Sequence, residues 1–223
     1  MNLYALIVAG GEGKRMGTEI PKQFLELDGK PVLMHTISRF REFNESIEII
    51  TVLPGNQLQY WAQLCKKYSF FIPNTLVTGG PTRYLSVKNG LQHVEENSLV
   101  AIHDGVRPLV STQTLKRCFE AAKKFGNAVP VVSPADSLRM INEKGSIQVD
   151  RKTIKIIQTP QVFVSGLIKN AYLHKYKADF TDDASVLEEL GEIIHLVEGN
   201  RENIKITNPE DLVIAAALLH SVS

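Results

Sequence analysis

Apolar positions along this chain follow two periods in turn. Short runs rich in β-branched residues recur as "LYALIVAG", "IEIITVLP", "NTLVTG", "LVAIHDG", "NAVPVV" and "IIHLV", the signature of strands buried on both faces. Between them lie longer stretches with helical spacing. "PVLMHTISRFREF" starts with Pro31 and sets Leu33, Ile37 and Phe40 on one side, and "QLQYWAQLCKKY" and "RYLSVKNGLQHV" repeat the spacing. This alternation predicts an α/β fold, a mostly parallel sheet with helices on both faces. In such sheets ligands bind beyond the carboxyl ends of the strands, so residues just after each strand are the ones to inspect.

Two stretches depart from the rhythm. Residues 133–160, "SPADSLRMINEKGSIQVDRKTIKIIQTP", alternate like strands around the turn signal "NEKG" and contain no helix to return the chain to the sheet. They predict a β-hairpin arm inserted in a single domain spanning 1–223. Such an arm cannot bury both faces alone and is expected to pack on another subunit. At the other end, "TNPEDLVIAAALLHSV" reads as a terminal helix docked on the core, with Asn208 as N-cap and Pro209 at its first position.

Composition narrows the function classes. With 25 Lys and Arg against 24 Asp and Glu, the formal charge of +1 supplies no global field for nucleic acid or a membrane surface, so any anion site must be local. The two cysteines, Cys65 and Cys118, are far apart and form no metal or disulfide pattern, which fits a reducing cytoplasm. No stretch reads as a signal peptide or a membrane span.

Three strand-end loops carry candidate chemistry. The first, "ALIVAGGEGKRMG", breaks from a strand into glycines and cations. Val8 stands where a Walker A loop needs glycine, and Met16 where the dinucleotide fingerprint needs its third. What remains is a backbone able to approach phosphate oxygens, followed by Lys14, Arg15 and Lys22; a tight turn with solvated cations fits the loop equally well. The second, "IHDGVRP", brings Asp104 out at a strand end, where a carboxylate can hold Mg²⁺ that arrives with phosphates, although a turn or cap role would also account for it. Arg107 follows, and His103 is assigned to packing. The third, "GGPTRYLSVKNG", enters a helix bearing Arg83 and Ser86; its N-terminus suits an anion or a base edge, or is a plain loop-helix junction. In "FTDDASVLEELG", N-capping suffices to explain Thr181, Asp182 and Asp183. Lys205 is expected within a short strand. Together these loops offer cations, glycine backbone and one candidate metal carboxylate, with no Ser/His/Asp set or metal cage, which is equipment for phosphoryl or nucleotidyl transfer.

The motifs "AGGEGKRMG....PKQFL", "HDGVRP", "VDR", "QTPQVF", "TDDAS" and "NIKITNPEDL", in that order over residues 5–212, resemble those of sugar- and alditol-phosphate nucleotidyltransferases, and within them the 2-C-methyl-D-erythritol 4-phosphate cytidylyltransferase family. The resemblance implies a Rossmann-like sheet, transfer of CMP from CTP to an alditol phosphate with release of pyrophosphate, Mg²⁺ as cofactor, and a cytoplasmic homodimer whose β-arms interlock. It makes Arg15 and Lys22 transition-state stabilisers, and Arg151 (from the partner's arm) and Lys205 the residues that position the substrate phosphate. It puts Ala9, Gly10, Gly11, Gly13, Gly80, Ser86 and Asp104 around the nucleotide, with Asp104 also on the metal. Arg107, Asp136, Ser137, Thr159 and Thr181 would line the alditol pocket. Pro81 stands where relatives commonly carry an acid, and Ser137 where Thr is common. "HDG" in place of "HDA" removes only a methyl and is expected to change little. Ribitol-5-phosphate cytidylyltransferase is the alternative within this chemistry, with "VDR" and "TDDAS" against it; a non-catalytic nucleotide-binding regulator is the alternative outside it.

Overall fold

The structure, a computed structural model, describes residues 1–10, 20–177 and 179–220. The chain begins with β1 (Leu3–Val8), then the short pair β2 (Glu26–Leu27) and β3 (Lys30–Pro31). α1 (Val32–Phe43), β4 (Glu48–Leu53), α2 (Leu58–Lys67), β5 (Thr75–Thr78), α3 (Arg83–Leu91) and β6 (Leu99–Asp104) follow in strict alternation. α4 (Thr112–Phe125) and β7 (Asn127–Val132) precede the hairpin β8 (Leu138–Asn142) and β9 (Gly145–Val149). The chain returns through β10 (Ile156–Ile157), β11 (Gln161–Val164), α5 (Ser165–Ala171), α6 (Asp183–Glu188), β12 (Leu196–Glu198) and α7 (Pro209–Leu219).

Among the described residues the main sheet runs β10-β7-β11-β6-β1-β4-β5, with β12 pairing on β7. β6, β1, β4 and β5 are mutually parallel; β11 and β10 are antiparallel to their neighbours. The predicted mostly parallel α/β sheet is therefore present, with an antiparallel insertion on one side of β6.

Period-2 alternation sorts the strand residues into two cores. Ala5 and Ile7 of β1, with Ala9 just after it, join Leu99 and Ala101 of β6 in a layer with Phe40 of α1, Trp61 of α2 and Phe119 of α4. Tyr4, Leu6 and Val8 join Val100 and Ile102 in the opposite layer, with Val87 of α3 and Ile168 of α5. The same alternation decides the end of β6. His103, on the side of Ala101, is fully buried with its ring 5.1 Å from that of Phe40, as its assignment to packing required. Asp104 faces the other way.

The helix ends follow sequence signals: Thr82 caps α3, Ser111 caps α4 and Gly126 closes α4 in the left-handed region at φ 90°. α7 starts at Pro209 with a capping box between Asn208 and Asp211. Its docking is slighter than expected. Only Ala215 is buried, against a small cluster with Leu27, Val106 and Ile206, while Val213 is 71 % exposed. A second correction concerns Lys205, which lies in a non-strand stretch that runs beside residue 106, joined by Ile206 N–H donating to the Val106 carbonyl at 2.9 Å.

The β8–β9 hairpin forms its own two-stranded sheet around the predicted turn, with Asn142 opposite Gly145. Among the described residues no helix is long and apolar enough to cross a membrane.

Candidate active site

Register brings the chemistry together. Val8 pairs with Asp104 on one side and Val52 on the other, and Val52 pairs with Val77. The strands thus end level, and each following residue bonds back to a neighbour: Ala9 N–H to Val52 O, Gly79 N–H to Leu53 O, Gly105 N–H to Val8 O, at 2.9, 2.8 and 2.9 Å. A cavity of about 190 Å³ opens above this edge. Ala9, Gly10, Lys22, Gly80, Pro81, Arg83, Ser86, Asp104 and Lys205 all line it.

Among the described residues the only carboxylate on that lining is Asp104, and three cations meet it. Lys205 Nζ lies 3.0 Å from Oδ2, Arg107 Nε 3.2 Å from the same oxygen, and Arg83 Nε 3.6 Å from Oδ1. Burial acts to raise the Asp104 carboxyl, but the charges of Arg83, Lys205 and Arg107 outweigh it and hold the group well below the usual carboxylate range. Asp104 is thus ionised at any pH the protein meets. Arg107 is fixed from behind by donating to the Asn203 carbonyl at 2.8 Å.

Beneath Asp104 lies a polar chain with one consistent proton arrangement. Asp104 N–H donates to Thr159 Oγ1 at 3.0 Å, Thr159 Oγ1 is 3.1 Å from His103 Nδ1, and His103 Nε2 is 3.0 Å from the Arg107 carbonyl. A carbonyl can only accept, so Nε2 carries the proton and Nδ1 accepts from the threonine hydroxyl. Burial pulls His103 down to about 4, which keeps that neutral tautomer. The chain ties the Asp104 backbone N–H to the Arg107 carbonyl through two buried side chains.

The glycine loop after β5 is tied down by Ser86, whose hydroxyl accepts from Gly80 N–H at 3.1 Å and donates to the Thr82 carbonyl at 2.9 Å. At Gly80 a Cβ would stand 2.5 Å from that of Leu85, so only glycine permits this approach. Gln23, fully buried beside Lys22, donates to the Ala9 carbonyl at 2.9 Å and to Gln57 Oε1 at 2.7 Å, which anchors the segment bearing Lys22 against the end of the first strand. Gly105 corrects an expectation: a Cβ there would stand 2.7 Å from that of Ala9 and 3.1 Å from Leu33 Cδ1. The missing methyl matters to this packing.

Other expected residues lie elsewhere. Gly11, Gly13 and Arg15 fall outside the described residues. Thr159 is buried under Asp104, and Thr181 is exposed just before α6. Asp136 and Ser137 sit exposed at the root of the hairpin. Arg151, also exposed, donates to the Ala135 carbonyl at 2.6 Å and lines a separate cleft with Lys152, Lys155 and Arg201.

Sequence reasoning left Arg83 without a role and took Asp183 for a cap. Asp182 alone is the cap, accepting from Ser185 N–H at 2.9 Å. Asp183 is fully buried and accepts both terminal nitrogens of Arg83, at 2.9 and 2.7 Å, and the Tyr172 hydroxyl at 2.6 Å. The available signal was the doubled acid: one N-cap position has room for one residue.

Comparison with known proteins gives a consistent result. The family model for 2-C-methyl-D-erythritol 4-phosphate cytidylyltransferase matches residues 3–221. Proteins of that name from Bacteroides fragilis and Bacteroides thetaiotaomicron are 51 % and 49 % identical, over 96 % and 98 % of this chain and 98 % and 100 % of their own. The crystal structure of 4-diphosphocytidyl-2C-methyl-D-erythritol synthase from Anaerococcus prevotii matches with a TM-score of 0.83 at 30 % identity, covering 98 % of this chain and 96 % of that one. That of 2-C-methyl-D-erythritol 4-phosphate cytidylyltransferase from Thermus thermophilus matches at 0.78 and 32 %, covering 99 % and 100 %.

Proposed function

The chain belongs to the 2-C-methyl-D-erythritol 4-phosphate cytidylyltransferase family, and from that premise we propose that the strand-end pocket performs the transfer. CTP and 2-C-methyl-D-erythritol 4-phosphate give 4-diphosphocytidyl-2-C-methyl-D-erythritol and pyrophosphate. The observation that carries this reading is the pocket itself: Lys22, Arg83 and Lys205 with the ionised Asp104 carboxylate, at the carboxyl edge of a parallel sheet.

The alditol phosphate oxygen attacks the α-phosphorus of CTP, a new P–O bond forms, and the bond to the bridging oxygen breaks as pyrophosphate leaves. A phosphate dianion is already a nucleophile near neutral pH and needs no general base. The obstacle is repulsion between two polyanions. Arg15 and Lys22 stabilise the charge that builds in the transition state, and Lys205 holds the incoming phosphate. Ala9, Gly10, Gly11, Gly13, Gly80 and Ser86 surround the nucleotide; Arg107, Asp136, Ser137 and Thr181 serve the alditol side, with Thr159 acting from beneath through the Asp104 backbone.

The residues present fit Mg²⁺. Among the described residues no cluster of three or more His, Cys, Asp or Glu side chains makes a protein-built cage. Mg²⁺ in such sites instead uses one or two carboxylates and takes its other ligands from phosphates and water. Asp104, ionised and facing the pocket, is the residue that would hold it. When bound, the ion offsets charge on the triphosphate and on the leaving pyrophosphate.

Arg151 joins the site from the arm of a second copy, in a homodimer. Two observations support this: Arg151 and the root of the arm lie apart from the pocket of their own chain, and the hairpin exposes Met140, Ile141 and Ile147. A cytoplasmic setting belongs to the same reading, with both cysteines free.

The deciding experiment measures pyrophosphate release from CTP with 2-C-methyl-D-erythritol 4-phosphate, with ribitol 5-phosphate, and with neither. Release that depends on the first establishes the reading. Preference for the second favours the ribitol enzyme, and binding of CTP without release favours a regulator.

A further inference from the structure

Arg83 stands between two carboxylates with unlike surroundings. Its Nε faces Asp104 at the pocket, and its two terminal nitrogens clasp Asp183 inside the protein. Asp183 is fully buried and has no capping duty, since Asp182 performs that. Tyr172, also buried, donates its hydroxyl to Asp183 Oδ1, and its ring stacks on Tyr84 with centroids 4.6 Å apart. The chain Tyr172, Asp183, Arg83, Asp104 thus runs from the core between α3, α5 and α6 to the mouth of the pocket.

An arginine on the first residue of a helix, partly exposed, would otherwise sample many rotamers. A bidentate carboxylate fork fixes the plane of the guanidinium as well as its position. With both terminal nitrogens held, Nε is the edge left for Asp104. Asp183 also accounts for one of the charges gathered there: Lys205, Arg107 and Arg83 face two carboxylates rather than one.

We propose that Asp183 and Tyr172 are positioning residues that hold the Arg83 guanidinium against Asp104 and so set the orientation of that carboxylate toward the nucleotide pocket. The proposal rests on Asp104 serving the nucleotide, as in the reading above. It extends the site to two buried residues on α6 and just after α5 that touch no substrate.

The test uses the full chain and a substitution that keeps the packing. Tyr172→Phe retains the buried ring and removes only the hydroxyl that orients Asp183. In ¹⁵N-labelled protein without ligand, the Arg83 Nε–H resonance should shift and broaden in Tyr172→Phe. Calorimetric titration with CTP and Mg²⁺ should show affinity weakened by about 10-fold, the low end of what losing a partner that orients a ligating side chain costs. The same substitution made on an Asp104→Asn background should cost less than about 1.5-fold, because a residue acting through Asp104 has nothing left to orient. A merely structural tyrosine would weaken binding by the same factor in both backgrounds, and that result, or an unmoved Arg83 resonance, overturns the proposal. The cytidylyltransferase reading fails separately, by absence of CTP binding or of pyrophosphate release in the unmodified chain. The ligand-free resonance still decides the positioning role in that event.

Discussion

Two pairs of strands carry the same alternation and put it to opposite uses. In β1 and β6 both rows of side chains are covered, one row by α1, α2 and α4, the other by α3 and α5. In β8 and β9 the row Leu138, Met140, Ile147 and Val149 shares one face of a two-stranded sheet, and Met140 and Ile147 remain about half exposed. A covered pair can hold charged groups in fixed positions at its end, because its backbone has no room to move. An uncovered pair has apolar surface that only another surface can bury. The first therefore gathers charged groups within one chain, and the second leaves an apolar row exposed.

The largest effect that sharpens this contrast is expected at the covered end. Lys22→Ala should lower turnover at saturating CTP by about 10² to 10³, by analogy with removal of one oxyanion donor. Thermal stability should hardly change, since Lys22 stands at the cavity and the neighbouring Gln23 supplies the anchor. Steady-state pyrophosphate release checks it, and near-normal turnover would remove Lys22 from the catalytic set.

The next effect tests how dry the covered end is. Folded His103 holds its proton only below about 4, whereas in the unfolded chain it titrates near 6.5. Between these values the unfolded state binds the additional proton, so the His103 contribution to stability falls as pH is lowered from about 6.5 to 4 and levels off below, where loss of the Asp104 contribution takes over. The full loss is about 3 kcal/mol, to order of magnitude. Protonation would also put a hydrogen on Nδ1, where Thr159 needs an acceptor. His35, likewise pulled down by burial, contributes in the same direction, so the diagnostic is a comparison. Urea unfolding of the metal-free protein at pH 6.5 and 4.5 should show a smaller drop for His103→Gln than for the unmodified chain; equal drops would refute the assignment.

How much of this was legible in the sequence follows the same division. Strands, helices, caps and the hairpin turn are local, and "NEKG" or "TNPED" announce them through few residues. Asp104 and Lys205 were legible as types after apolar runs. Arg107 lies three residues from Asp104 in the same loop, but the approach of Arg83 and Lys205 depends on register across β1, β4, β5 and β6 and on the Ile206–Val106 hydrogen bond, which no single segment encodes. Asp183 was hidden because a buried acid partner a hundred positions from its arginine looks, locally, like a helix cap. The Gly105 methyl was misjudged for a related reason: its cost is set by Ala9 and Leu33, neither of which is near it in the chain.

A third effect asks whether the uncovered pair serves the covered one. Arg151→Ala should raise KM for the alditol phosphate by about 10-fold, the worth of one charge-assisted phosphate contact, with turnover at saturation less affected. Co-refolding this variant with Lys22→Ala separates a contribution in cis from one in trans. If the arm acts across a dimer, each mixed dimer holds one complete site, and about a quarter of all sites should recover. No recovery, with dimers present, would place Arg151 outside its partner's site.

The smallest effect is expected where the apolar surface is most visible. Ile147→Ser removes a side chain that is 47 % exposed and faces Met140 on the outer surface of the hairpin. Within one chain it loses little burial, so unfolding at dilutions where the protein is monomeric should change by less than about 0.5 kcal/mol. The same substitution at concentrations that support association should weaken the dimer by about 10-fold, since a fully buried isoleucine is worth roughly 1.5–3 kcal/mol. Analytical ultracentrifugation across that range reads the dimer constant, and urea unfolding at the lowest concentration reads the monomer. A matched loss in monomer and dimer would mean that the hairpin is stabilised by its own chain. Loss confined to the dimer would mean that its exposed row is held for a second copy, which would then complete the site it cannot reach in its own subunit.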